Sequence, residues 1–255
     1  GAMRYGYIAR FAAQMRSRAD QRLRKLYDLL IEPLSPSLAG GRLVIIPAGT
    51  LNYVPFQALF DGERYLIERF EISYAPSSAV WARLGSREPR GLNGVLLIGY
   101  ADERIPLVEH EIKTIRRIMP DARAFVGEKA TVRAFDKHAA AAGIIHLACH
   151  GQFRPENPMF SSLHLADGRV TVRDICSHDL AAELVVLSAC ETGLSKVFAG
   201  DEILGLARGF LAAGAGSLIV SLWAVNDTAA GQLMTDLYTE MQRGGTAAAS
   251  LRHSQ

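Results

Sequence analysis

Ten residues constrain this chain more than any others: Leu184-Val-Val-Leu-Ser-Ala-Cys-Glu-Thr-Gly193. Four apolar residues follow a polar run, and the segment then reaches a cysteine and breaks at glycine. Such a run reads as a strand buried on both faces, Leu184 to Ser188, of the kind found in parallel sheets. Its end presents Cys190. A second stretch has the same form, Gly143-Ile-Ile-His-Leu-Ala-Cys-His150-Gly151. Here the strand delivers His150, and Gly151 is expected to permit a sharp turn. In open α/β sheets, functional groups gather at the carboxyl ends of strands. A thiol and an imidazole at one sheet edge are the minimum equipment for nucleophilic catalysis by cysteine.

The rest of the chain supports a fold built around these strands. With 255 residues and 49% hydrophobic content, it can bury a full core. Apolar runs at Arg42–Ile46, Gly94–Gly99, Ala122–Val126 and Gly216–Leu222 read as further strands. Amphipathic helices are expected over Leu107–Met119, Thr131–Ala142, Glu202–Ala213 and Thr228–Gln242. Ser77 and Thr131 have the side chains to cap helices. Tyr65 to Tyr74 alternates and reads as a half-exposed strand or hairpin arm. Gln152 to Arg169 holds prolines and a glycine, and reads as a loop with one short strand, Ser162 to Leu165. Strand and helix alternate from Gly94 onward, which predicts a mostly parallel sheet with helices on both faces.

Several function classes are disfavoured. A net charge of +2 carries no nucleic-acid or membrane signal, and no apolar run approaches a membrane span. Three scattered cysteines fit a reduced, cytoplasmic protein better than a disulfide scaffold. The dinucleotide glycine pattern and the P-loop lysine are missing, so no cofactor is expected. His146 and His150 stand four apart. In a strand that separation is about 13 Å, too far for two ligands of one zinc ion. No metal is therefore expected, and His146 reads as a core histidine with its hydrogen bonds satisfied. Cys149 and Cys176 read as small buried apolar side chains. Gly1-Ala2-Met3 reads as the remnant of an expression tag, residues 4–32 as a helical lead-in, and residues 33–255 as one domain.

Three blocks of this chain resemble the signature blocks of the CHAT domain. They are His146-Leu-Ala-Cys-His150-Gly151, Leu187-Ser-Ala-Cys190-Glu-Thr-Gly193 and Ser221-Leu-Trp-Ala-Val-Asn-Asp227. Upstream, Leu43-Val-Ile-Ile-Pro-Ala-Gly49 with Val54-Pro-Phe-Gln-Ala-Leu59, then Tyr65–Phe70 and Ser73–Ser78, resemble its amino-terminal blocks. Gly200–Arg208 resembles the helix after the cysteine. The CHAT domain is a caspase-like cysteine peptidase module, related to separase and often found after tetratricopeptide repeats. The resemblance implies a caspase-like α/β three-layer sandwich. It implies His150 as base and Cys190 as nucleophile, acting on a protein substrate, with upstream repeats or an activating partner. The backbone N–H groups of Gly151 and Cys190 are the expected oxyanion donors. The last block resembles the wall of the first specificity pocket in separase. There Trp223 would line the stem of a basic side chain and Asp227 would pair with its charge, although Asp227 also stands where a helix cap belongs. Family members usually run on past the last helix, so the sheet is expected to lack an edge piece. The alternative is a non-catalytic module that keeps the fold and recruits partners.

Overall fold

The computed structural model of the chain describes residues 2–88, 90–103, 105–152, 154, 156–188, 199–221 and 225–255, with backbone alone at 2–12, 199–204 and 227. The chain divides into two compact units, one of residues 1–45 and 54–74, the other of residues 46–53 and 75–255.

In the first unit, helix α1 (Ala2–Leu30) runs into a 3-10 turn at Glu32–Ser37 that holds Pro33 and Pro36. Strand β1 (Arg42–Ile45) follows, then the single helical turn α2 (Leu66–Arg69) and strand β2 (Glu71–Tyr74). The two strands pair in parallel, Arg42 opposite Glu71 and Ile45 opposite Tyr74. Tyr27 and Ile31 bury themselves with Phe56, Leu59, Leu66 and Phe70. Tyr65 Oη donates to Asp20 at 2.8 Å and Arg69 Nη1 donates to Tyr27 Oη at 2.9 Å, tying the helix to this core. The single strand or hairpin arm expected over Tyr65–Tyr74 is therefore corrected. Leu66 and Phe70, four apart, fit one face of a helical turn as well as one face of a strand. Glu68 decides locally, because its carboxylate accepts the Tyr65 N–H at 2.6 Å at the start of the turn.

The second unit opens with helix α3 (Ser78–Gly85), capped by Ser77 Oγ, which accepts the Val80 N–H at 3.2 Å. Strand β3 (Val95–Gly99), helix α4 (Val108–Ile118), strand β4 (Arg123–Val126), helix α5 (Val132–His138) and strand β5 (Ile144–Ala148) come next. Thr131 caps α5 as expected, but the helix tightens into a 3-10 turn at Ala139–Ala141. Strands β6 (Gly151–Gln152), β7 (Ser162–Leu165) and β8 (Gly168–Thr171) then form a small antiparallel sheet where one strand was expected. Helix α6 (Val172–Cys176), strand β9 (Leu184–Ser188), helix α7 (Ala199–Ala212), strand β10 (Ser217–Val220) and helices α8 (Asp227–Gln242) and α9 (Ala247–Ser254) complete the chain.

Five parallel strands make the central sheet, in the order β10-β9-β5-β3-β4. Its three inner strands are buried throughout, which is why they read as unbroken apolar runs. Side chains alternate between two cores. Leu96, Ile98, Ile145, Leu147, Val185 and Leu187 pack with Phe135, Ile175, Leu206 and Phe210 of α5, α6 and α7. Val95, Leu97, Ile144, Ala148, Leu184 and Val186 pack with Ile112 and Ile115 of α4 and Leu237 and Tyr238 of α8. The result is the expected three-layer α/β sandwich. Gly99 lets α4 close onto the sheet, since a Cβ there would meet Ile112 Cγ1 at 2.6 Å. Among the described residues, no helix is long and apolar enough to cross a membrane.

Candidate functional site

β5 and β9 are direct neighbours, in parallel, with Ala148 opposite Ser188. Both strands therefore end at one edge of the sheet. His150 lies two residues beyond Ala148. Cys190, two residues beyond Ser188 in the sequence, lies outside the described residues, as does Trp223.

His150 is half-buried and leads directly into β6. Its carbonyl accepts the His164 N–H of β7 at 2.8 Å. The two imidazole rings meet nearly edge to face, with centroids 5.5 Å apart and planes at 80°. His150 Nδ1 is buried and has no partner among the described residues, and the same holds for His164 Nε2 and Ser188 Oγ. Buried polar atoms are nearly always paired in proteins, so these three stand out among the described residues. The His164 pKa is pushed below the ordinary histidine value, first by burial and then by Arg169 and His150, against the opposing charge of Asp102.

Gly151 does not form the expected sharp turn. It begins β6 and faces Leu163 of β7. The ladder bond beside it runs from the His164 N–H to the His150 carbonyl, so Gly151 and Leu163 are a non-hydrogen-bonded pair. In such a pair the N–H points away from the partner strand, and the Gly151 amide keeps its donor free of β7.

His146, four residues before His150 and inside β5, is its opposite. It is 0% exposed, its Nε2 lies 2.9 Å from Glu111 Oε1, and its Nδ1 lies 3.1 Å from Tyr238 Oη. Burial, with the Glu111 charge, pushes the Tyr238 hydroxyl well above the ordinary phenol value. A phenol that keeps its proton can donate to Nδ1, leaving the Nε2–H for Glu111. His146 is thus the satisfied core histidine expected from its place in the strand. Glu111 and Tyr238 were not anticipated as its partners.

Cys149 is 0% exposed and packs in the core with Ile145 and Leu147, as expected. Cys176 is corrected: it is exposed at the end of α6, with its Sγ 3.8 Å from the Gly209 carbonyl. The helix cap near Asp227 is also corrected. Asn226 Oδ1 accepts the N–H groups of Thr228 and Ala229 at 3.0 and 3.3 Å, and Asp227 follows as the first helical residue. Among the described residues, no group of three or more His, Cys, Asp or Glu side chains could hold a metal ion.

The family model of the CHAT domain matches residues 20–255. Tetratricopeptide repeat protein 28 of Mus musculus is 26% identical over 92% of this chain and 12% of its own length. The Homo sapiens protein of the same name is 26% identical over 90% of this chain and again 12% of its own length. The chain thus spans a small part of these curated relatives. With the family model covering all but the first 19 residues, and a three-layer α/β fold around a parallel sheet, the chain belongs to the CHAT domain family, a family of caspase-like fold.

Proposed function

We propose that this domain is a cysteine endopeptidase in which Cys190 is the nucleophile and His150 the base. The observation that carries the reading is the pairing of Ala148 with Ser188, which brings the ends of the two strands to one edge. The His150 Nδ1, which has no partner among the described residues, adds to it, because a base needs a ring nitrogen free to accept a proton.

In this reading the imidazole raises the thiolate fraction of Cys190. The sulfur attacks the scissile carbonyl carbon, and the carbonyl oxygen takes the negative charge. The N–H groups of Gly151 and Cys190 stabilise that oxyanion. The C–N bond then breaks, His150 gives its proton to the leaving amine, and a thioester remains. Water attacks the thioester as His150 accepts its proton. The products are a carboxylic acid and the free thiol. For specificity we assign Trp223 to the wall of the first pocket and Asp227 to a basic side chain of the substrate. Capping by Asn226 is compatible with this, since the cap of α8 is already supplied.

The working context we propose is cytoplasmic, with upstream tetratricopeptide repeats or a partner controlling activity on a protein substrate. The relatives are named for their tetratricopeptide repeats, which favours a second reading, a recruitment module without catalysis. A peptide library separates the two. The peptidase reading predicts cleavage after a basic residue, abolished in Cys190→Ala and in His150→Ala proteins that remain folded. A library left intact by the protein, alone and with its proposed activating partner, supports recruitment.

A further inference from the structure

The dyad reading leaves one group beside His150 unused. His164 sits in the middle strand of the small antiparallel sheet, flanked by Leu163 and Leu165, which face the core. Its backbone N–H holds the His150 carbonyl, and its ring stands 5.5 Å from the His150 ring at 80°. One residue therefore grips the candidate base twice, through the main chain and through the ring. An imidazole that must swing between a thiol and a leaving amine gains from a wall that fixes its plane, since small misplacements of a catalytic group are costly.

We propose that His164 is a positioning residue for His150, its ring setting the plane in which the base works; this rests on His150 acting as that base. The titratable and charged groups facing His164 come from three sides. Arg169 stands directly opposite on β8, His150 lies in the turn before β6, and Asp102 lies in the loop after β3. Burial first, then Arg169 and His150, hold the His164 pKa below the ordinary histidine value against the pull of Asp102, and this favours the neutral ring. Neutrality suits the role. A charged ring at this distance would oppose the imidazolium that His150 must become. Once acid charges His164, the wall repels the base it holds.

The test uses the whole chain labelled with 13C and 15N in histidine, as wild type, His164→Phe and His164→Ala. The His150 ring line is identified by its loss in His150→Gln. In wild type it should show a ring-to-ring NOE to His164 and a second inflection at the acid pH where His164 charges. The inflection should vanish in His164→Phe. Alongside, His164→Ala should lower kcat by about 10- to 100-fold at a KM changed by less than about twofold, while His164→Phe, which keeps an aromatic wall, should recover kcat to within about threefold. The backbone bond from residue 164 survives in both variants, and amide spectra report whether the sheet is intact. A His150 line that titrates identically in wild type and His164→Phe, or an unchanged kcat in His164→Ala, overturns the proposal. If wild type cleaves no peptide, the peptidase reading fails, and the NOE and the paired titration still decide whether the two rings are coupled.

Discussion

Glu111 of α4 and His146 of β5 meet inside the core, Oε1 to Nε2 at 2.9 Å, and Tyr238 of α8 closes the other side of the ring. Two helices on one face of the sheet and the central strand are thus joined by one buried imidazole. Removing one member leaves the others buried without a partner, which costs far more than the pair itself contributes. His146→Phe is expected to lose about 3 kcal/mol or more of stability. The double variant with Glu111→Leu should lose less than the sum of the two single changes. Urea denaturation at constant m-value measures both. A single-variant loss under about 1 kcal/mol would contradict the buried network.

Asn226 carries the cap of α8. Asn226→Ala should cost about 1 kcal/mol. Asp227→Asn should cost less and should instead erase a preference for basic residues at the cleavage position. Thermal melts and a cleaved peptide library read the two effects separately. A stability loss in Asp227→Ala larger than in Asn226→Ala would return the cap to Asp227.

Asp174 gives a signed dependence on pH. Thr171 Oγ1 and the Thr171 N–H both donate to its Oδ2, at 2.6 and 2.9 Å. The hydroxyl bond, then the backbone bond, hold its pKa below the ordinary aspartate value, with Arg173 and His178 adding to them. A depressed carboxylate stabilises the fold above the ordinary value and loses that contribution as pH falls through the folded one. The melting-temperature difference between wild type and Asp174→Asn should therefore be positive at neutral pH and shrink as pH falls below about 4. A difference that stays constant to pH 2 would mean the carboxylate charge is not the source.

Cys149 sits inside the core with Leu147 and Ile145. Cys149→Ala should retain cleavage and lose about 1 kcal/mol of stability. An inactive, folded Cys149→Ala protein would show that the wrong thiol has been assigned.

How far the chain could be read follows from the physics of each element. Val95–Ile98, Ile144–Leu147 and Leu184–Leu187 are buried on both faces, and such runs have little else to become. Periodicity says nothing about which strands are adjacent, so the neighbourhood of β5 and β9 needed the fold. Leu66 and Phe70 fit two periods at once, and the capping contact of Glu68 lies outside any apolar pattern. The strands β6 and β8 are short and follow or flank prolines and glycines, so their pairing with β7 left little local trace. Asn226 and Asp227 cap equally well, and only geometry separates them. Glu111 did leave a signal: it lies three residues after Val108 and four before Ile115, within the apolar stripe of α4, where a carboxylate needs a buried partner. His164 left less. Its neighbours Leu163 and Leu165 announce the opposite face, but its partner His150 comes from the far side of a long loop.

The central claim is that Cys190 is a nucleophile activated by His150, and covalent capture tests it most directly. The protein is incubated at neutral pH with a peptide carrying a basic residue and an acyloxymethyl ketone, and the labelled residue is located by mass spectrometry. The account predicts a single adduct on Cys190, formed at least about tenfold more slowly in His150→Ala and absent in Cys190→Ala, with Cys149 and the exposed Cys176 unlabelled on the same timescale. Equal labelling of Cys190 with and without His150, or an adduct on Cys176 alone, would contradict it.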